Sequence, residues 1–291
     1  MRLLIINKTG KDFTVMKIIV DSCCDLNRDL IEEFNIDVVP LTIEFGDCIY
    51  RDDENLDMDA FLNNMRNTKE RIRTSCPSPN DFMEKFKGPD SAFVVTLSSA
   101  LSGTNRSACI AKKMYFEEFG EKFIHVFDSF SASIGETIIA MKIGEFIKNG
   151  YDELGIAEKV DEYIKGMKTF FMLESFDNLV KAGRVNPIVA KITSALSVKP
   201  IMAGTAEGTI KLYEKVIGAK RAFKRFVDVI EEQELKLEDR ILGISHCNCP
   251  EKALQFKEEA QKRYNFKDIV IMETRGISSV YANEGGIVIA F

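Results

Sequence analysis

The sequence is poor in the residues and runs that mark several common functional classes. It has two histidines, His125 and His246, so chemistry that needs an imidazole titrating near neutrality has two candidates. Lys and Arg number 39 against 45 Asp and Glu, a net charge of -6. This argues against a broad nucleic-acid face, because phosphate binding needs clustered, unopposed cations. No apolar run approaches the roughly 20 residues that a membrane-spanning helix requires. The patterns G-x-x-x-x-G-K-S/T and G-x-G-x-x-G, which cradle phosphates, are missing, as is the G-x-S-x-G elbow of α/β-hydrolases.

Seven cysteines are present, an odd and scattered set. They fit free thiols in a reducing compartment better than a disulfide framework, which makes the cytoplasm the expected location. Cys247-Asn248-Cys249 beside His246 falls short of the four-ligand spacing of structural zinc, and a turn leading into a helix at Pro250 accounts for it. The N-terminal apolar run, Leu3 to Ile6, is far too short for a signal peptide. Met16 directly precedes the first strand-like run, so residues 1–15 read as a leader or extension, or as one extra native strand.

With 45 % hydrophobic and 29 % charged residues, the chain has the balance of a globular protein, and its length suits two domains. Short apolar runs alternate with segments of helical period, the pattern of βαβ units feeding a mainly parallel sheet. Strands are expected near 17–20, 38–45, 92–97 and 123–127, with helices over 26–34, 58–65, 80–87, 105–119 and 133–148. Asn149-Gly150 closes the last of these and marks the candidate junction between an N-terminal domain (16–150) and a C-terminal one (151–291). The second half predicts helices over 154–165, 176–182, 187–196, 219–232 and 250–263. Its strands fall at 170–173, 198–203, 209–216, 241–245, 269–272 and 287–290. Glu207-Gly208 supplies a hairpin turn, so this second sheet should be mixed.

Serines recur where strands hand over to helices: Val20-Asp21-Ser22, Leu97-Ser98-Ser99 and Phe127-Asp128-Ser129. In open α/β sheets such strand ends converge on one crevice. The richest segment, Thr96 to Thr104, runs straight into a helix whose free N–H groups favour an anion. A second cluster, Thr74-Ser75-Cys76-Pro77-Ser78, precedes another helix. Each cluster alone is also explained as turn and cap.

These segments, together with Asp21-Ser22-Cys23-Cys24-Asp25-Leu26, Asp128-Ser129 with Ser133 and Gly135, and Gly183-Arg184, resemble the DegV family of bacterial fatty-acid-binding proteins from Met16 onward. The resemblance implies a two-domain α/β fold, with an N-terminal parallel-sheet domain, a C-terminal mixed-sheet domain and a long-chain fatty acid buried between them. It implies a carrier and not an enzyme, without a cofactor or metal. It also implies ligand contacts at Thr74, Ser75, Ser98 and Ser99, with Arg184 near the lipid headgroup, and a fatty acid kinase as partner. Transient membrane contact is compatible with such a role.

Two positions depart from the family pattern. Tyr281 falls where many relatives carry a headgroup histidine, and offers a phenol with no group titrating near neutrality. Ile217 replaces an arginine in Lys215-Val216-Ile217-Gly218 and cannot make bidentate contacts to phosphate or carboxylate. Transfer to a kinase is therefore weaker as an expectation than binding. A serine hydrolase and a phosphate-binding module remain as alternatives, the first requiring a base within reach of a serine.

Overall fold

The computed structural model describes residues 15–186 and 198–291. The expected strand Leu3 to Ile6 and the expected helix 187–196 lie outside the described residues.

Apolar β-branched runs bounded by polar turns form the first sheet. Strands β1 (Met16–Asp21) and β2 (Ile36–Val39) are joined by helix α1 (Arg28–Phe34), as the alternating pattern predicts. Pro40 then ends the expected 38–45 strand early: it has no N–H to give a ladder. The chain turns away into β3 (Thr42–Phe45) and β4 (Cys48–Arg51). After α2 (Met58–Asn67), β5 (Arg73–Ser75) joins β3, completing a small antiparallel sheet of order β4-β3-β5. Periodicity does not reveal β4 or β5, since each is only three or four residues long.

Helix α3 (Pro79–Phe86), β6 (Ser91–Thr96), α4 (Thr104–Phe119), β7 (Ile124–Asp128) and α5 (Ile134–Lys148) follow. Ser78, the last residue of the second hydroxyl cluster, caps α3 in a reciprocal capping box with Asp81. The resulting sheet is wholly parallel, order β2-β1-β6-β7.

The second half runs α6 (Glu153–Gly166), β8 (Thr169–Met172), α7 (Asp177–Lys181), β9 (Val198–Gly204), β10 (Ile210–Ile217) and α8 (Ala219–Asp228). It ends with β11 (Ile241–His246), α9 (Pro250–Arg263), β12 (Asp268–Glu273), α10 (Gly276–Ala282) and β13 (Ile287–Ala290). Its sheet has the order β10-β9-β8-β13-β11-β12, antiparallel except for the β11/β12 pair. The mixed sheet and the hairpin at Glu207-Gly208 are as the sequence indicates, and Gly208 adopts the φ of +75° that favours glycine.

Helix α5 lies between the two large sheets. It is apolar nearly all round, which a helix tolerates only when buried on every side. Ile134, Ile138, Ile139, Ala140 and Ile143 are fully buried in one cluster with Ile18, Val20, Phe93 and Val95 of the first sheet and Ile241, Met272 and Ala290 of the second. Gly243 is what lets β11 come so near: a Cβ there would stand 2.4 Å from Ile134 Cγ1. Helices α3 and α4 cover the far face of the first sheet, and α8 and α9 that of the second. Helix α6, beyond Asn149-Gly150, packs into the same cluster as α5 through Ile156, Val160 and Ile164.

Candidate functional site

The carboxyl ends of β1, β6 and β7 open toward the small sheet, α10 and strands β8, β9, β10 and β13 of the second sheet. Between them lies a cavity of about 330 Å³. Its apolar wall includes Leu41, Leu97, Phe171, Leu173, Leu179 and Ile277. Its polar lining includes Thr74, Ser75, Ser102, Arg184, Thr209 and Tyr281. Among the described residues that line it, Arg184 is the one with a formal charge, so the cavity suits an anion with a long apolar body.

Thr74 and Ser75 reach the cavity because β5 pairs with β3, in the register Ile43 opposite Thr74 and Thr42 opposite Ser75. Tyr281 arrives from the other half of the chain on α10, an element the sequence pattern does not reveal because it is two turns long. The hydroxyls of Thr74 and Tyr281 share a hydrogen bond of 2.6 Å. Arg184 donates through Nε to Leu101 O at 3.0 Å, and its Nη1 bonds Ala182 O.

The double serine behaves differently from the expectation. Ser98 is fully buried, and its hydroxyl donates to Gly208 O at 2.8 Å. Ser99 is exposed, and its backbone N–H donates to Asp128 Oδ1 at 3.1 Å. Neither lines the cavity. The same loop instead contributes Ser102 and Gly103, which sit at the start of α4. Gly103 occupies the cap position of α4 without a side-chain cap bond of its own, and the first amide, Thr104 N, donates to Ser102 Oγ at 3.3 Å, so the amides after it are the ones that face an anion. The position of Ser102 just before a helix start is the signal that places the lining three residues further on.

A buried acid network lies beside the cavity. Asp25 accepts from Ser245 Oγ at 2.8 Å, from Arg275 N at 3.0 Å and from Ser133 Oγ, tying the two halves together. Asp52 accepts from Gly276 N and Ile277 N, both at 2.9 Å, and so fixes the start of α10. Gly276 is required there: a Cβ would stand 2.6 Å from Asp52 Oδ1. Asp21 accepts from Leu97 N at 2.7 Å and Cys23 N at 2.9 Å, yet burial lifts its carboxyl to about pH 7. Burial likewise lifts Asp25 to about 6, and burial together with the nearby Asp21 charge holds Glu136 well above the carboxylate range.

The two histidines stay away from the cavity. His125 Nε2 faces Asp161 at 3.6 Å, and the backbone N–H of Cys249 donates to His246 Nδ1 at 3.4 Å. All seven cysteines are free, and Cys249 lies near His246 as part of the turn into α9. Among the described residues no helix is long and apolar enough to cross a membrane.

Comparison with known proteins places this architecture. A protein from Streptococcus gordonii, a DegV domain-containing protein, is 33 % identical over 278 residues, covering 94 % of this chain and 98 % of its own. The crystal structure of a DegV family protein from Ruminococcus gnavus, refined with vaccenic acid, is 38 % identical with a TM-score of 0.90, over 96 % of this chain and all of that one. The Fatty Acid Kinase B3 protein of Streptococcus pneumoniae, loaded with linoleic acid, is 30 % identical with a TM-score of 0.88, over 95 % of this chain and 99 % of that one. The model described as "Uncharacterised protein, DegV family" matches residues 15–291, and the chain belongs to the DegV family.

Proposed function

We propose that this protein binds a long-chain fatty acid in the cavity and acts as its carrier. The observation that carries the reading is the composition of the lining. Hydroxyls, one guanidinium and a helix start share the cavity with aliphatic and aromatic side chains. Hydroxyls and helix amides hold a carboxylate without burying a full opposing charge. The tail contributes roughly 0.8 kcal/mol per buried methylene, so affinity comes from the tail and orientation from the polar lining.

Thr74, Ser75, Tyr281 and Arg184 are the proposed headgroup contacts, with Ser102 added from the lining. The Ruminococcus and pneumococcal relatives, each with a fatty acid, support the ligand class. Neither histidine lines the cavity, which favours a carrier over a serine hydrolase, because a serine nucleophile needs a base within hydrogen-bonding reach.

The name of the pneumococcal relative supports a fatty acid kinase as the partner that receives the loaded protein. Ile217, 68 % exposed at the end of β10, would meet such a partner with an apolar side chain. Free thiols throughout fit action in the cytoplasm.

Native mass spectrometry of the purified protein, followed by identification of its extracted lipid, tests the binding reading. One long-chain fatty acid per chain is expected. A protein that stays empty when offered such acids defeats it. Formation of an acyl phosphate when loaded protein, kinase and ATP are mixed tests the partner.

A further inference from the structure

The rim of the cavity is formed by the exposed lining residues Ser75, Cys76, Gly103, Phe130, Arg184 and Thr209. Two of its sides come from opposite halves of the chain. One is the loop from Leu97 to Gly103, with Phe130 beside it. The other is the β9–β10 hairpin, whose turn bears Gly208 and Thr209.

We propose that the Ser98–Gly208 hydrogen bond is a latch that closes the cavity, so that Ser98 is a positioning residue for the hairpin and not a ligand contact. This rests on the fatty-acid reading of the cavity. Four observations carry it. Ser98 has no exposure, although its loop forms part of the rim. Its hydroxyl is spent on a carbonyl 110 residues away, at the tip of the hairpin. The fit at Gly208 is closed to any side chain: a Cβ would stand 2.1 Å from Ser98 Oγ and 3.0 Å from Phe130 Cα. Phe130 is itself held at a φ of +48° at the rim, its N–H bonded to Asp128 Oδ1 at 3.1 Å, while the same carboxylate holds Ser99 N.

The turn is tied internally as well. Gly208 N donates to Thr205 O at 3.0 Å, and Thr205 N to Thr209 O at 2.8 Å. It therefore moves as one piece, and its link to the first half through Ser98 is a single neutral hydrogen bond. Loss of such a bond shifts an opening equilibrium by roughly fivefold. Opening the turn moves Gly208, Thr209 and Ile210 off the cavity together, and exposes the apolar wall behind them.

Stopped-flow exchange of cis-parinaric acid, with thermal unfolding run alongside, tests the latch. In Ser98→Ala both association and dissociation should accelerate by about fivefold, with the dissociation constant within a factor of two of the unaltered protein. A weaker dissociation constant at an unchanged association rate would make Ser98 a ligand contact and overturn the latch. Unchanged rates in a folded variant would overturn it too. If the unaltered protein binds no cis-parinaric acid or other fatty acid, the fatty-acid reading itself has failed. Hydrogen exchange in the unaltered chain covers the case of a variant that does not fold. The Thr205–Ile210 segment should exchange more slowly when the protein is loaded, and equal exchange in both states would rule the latch out.

Discussion

Thr74 and Tyr281 stand 207 residues apart in the chain, and their hydroxyls share one 2.6 Å hydrogen bond in the lining of the cavity. Each hydroxyl can donate one bond and accept others, so the pair can present a donor to an incoming carboxylate while remaining mutually bonded. Tyr281→Phe removes one partner and leaves Thr74 in place. Affinity for a fatty acid should fall by about 1 kcal/mol, roughly fivefold, with little change for the methyl ester. Isothermal titration with both ligands measures this, and equal losses would place the pair away from the carboxylate.

Asp52 controls the same tyrosine at a distance. Its two oxygens accept from the first amides of α10, the helix that carries Tyr281. Asp52→Ala leaves two buried N–H groups unpartnered, at about 1–3 kcal/mol each. Urea unfolding should show that loss. A variant of unaltered stability would show that α10 does not need this carboxylate.

The buried acids make stability depend on pH in an unusual direction. Burial raises Asp21 to about 7 and Asp25 to about 6 from 3.8, and Glu136 rises well above its ordinary value. A carboxyl raised in the folded state contributes fully below its unfolded pKa, and that contribution is lost as pH rises through the folded value. The network should therefore weaken between about pH 4 and pH 7. Glu136→Gln keeps the shape and removes one ionisation beside Asp21. It should stabilise the protein at pH 8, where the ionised form is penalised by burial, and leave it unchanged at pH 4. Thermal unfolding across that range checks the slope. A parallel pair of curves would contradict it.

Gly243 sets how closely the second sheet approaches α5. Gly243→Ala drives a methyl into Ile134 and Ile138, which are fully buried and cannot swing aside. Overpacking of this kind costs about 1–3 kcal/mol. Chemical denaturation should show a lower midpoint with an unchanged slope, and an unaffected midpoint would mean that the two layers can separate freely.

Much of the fold follows from local pattern. The alternation of apolar runs and helical periods carries the parallel sheet, the turn at Glu207-Gly208 carries the antiparallel hairpin, and Ser78 announces the start of α3. Segments set by long-range pairing escape it. β5 is three residues long and exists because β3 is there to pair with it, and α10 depends on Asp52 from 224 positions away. Pro40 was readable as a strand breaker, yet the small sheet it sends the chain into was not.

The site divides the same way. By itself, the sequence determined the chemistry available: hydroxyl-rich loops at strand ends, one arginine after Gly183, a tyrosine where the family pattern has a histidine, and no nucleotide or hydrolase motif. Only the tertiary structure decided which hydroxyls face the cavity. Ser98 and Thr74 look alike in sequence. Gly208 O claims the hydroxyl of Ser98 from the far half of the chain, while β3 turns Thr74 toward Tyr281. A hydroxyl has only a few bonds to give, and which partner takes them depends on the packing of both halves.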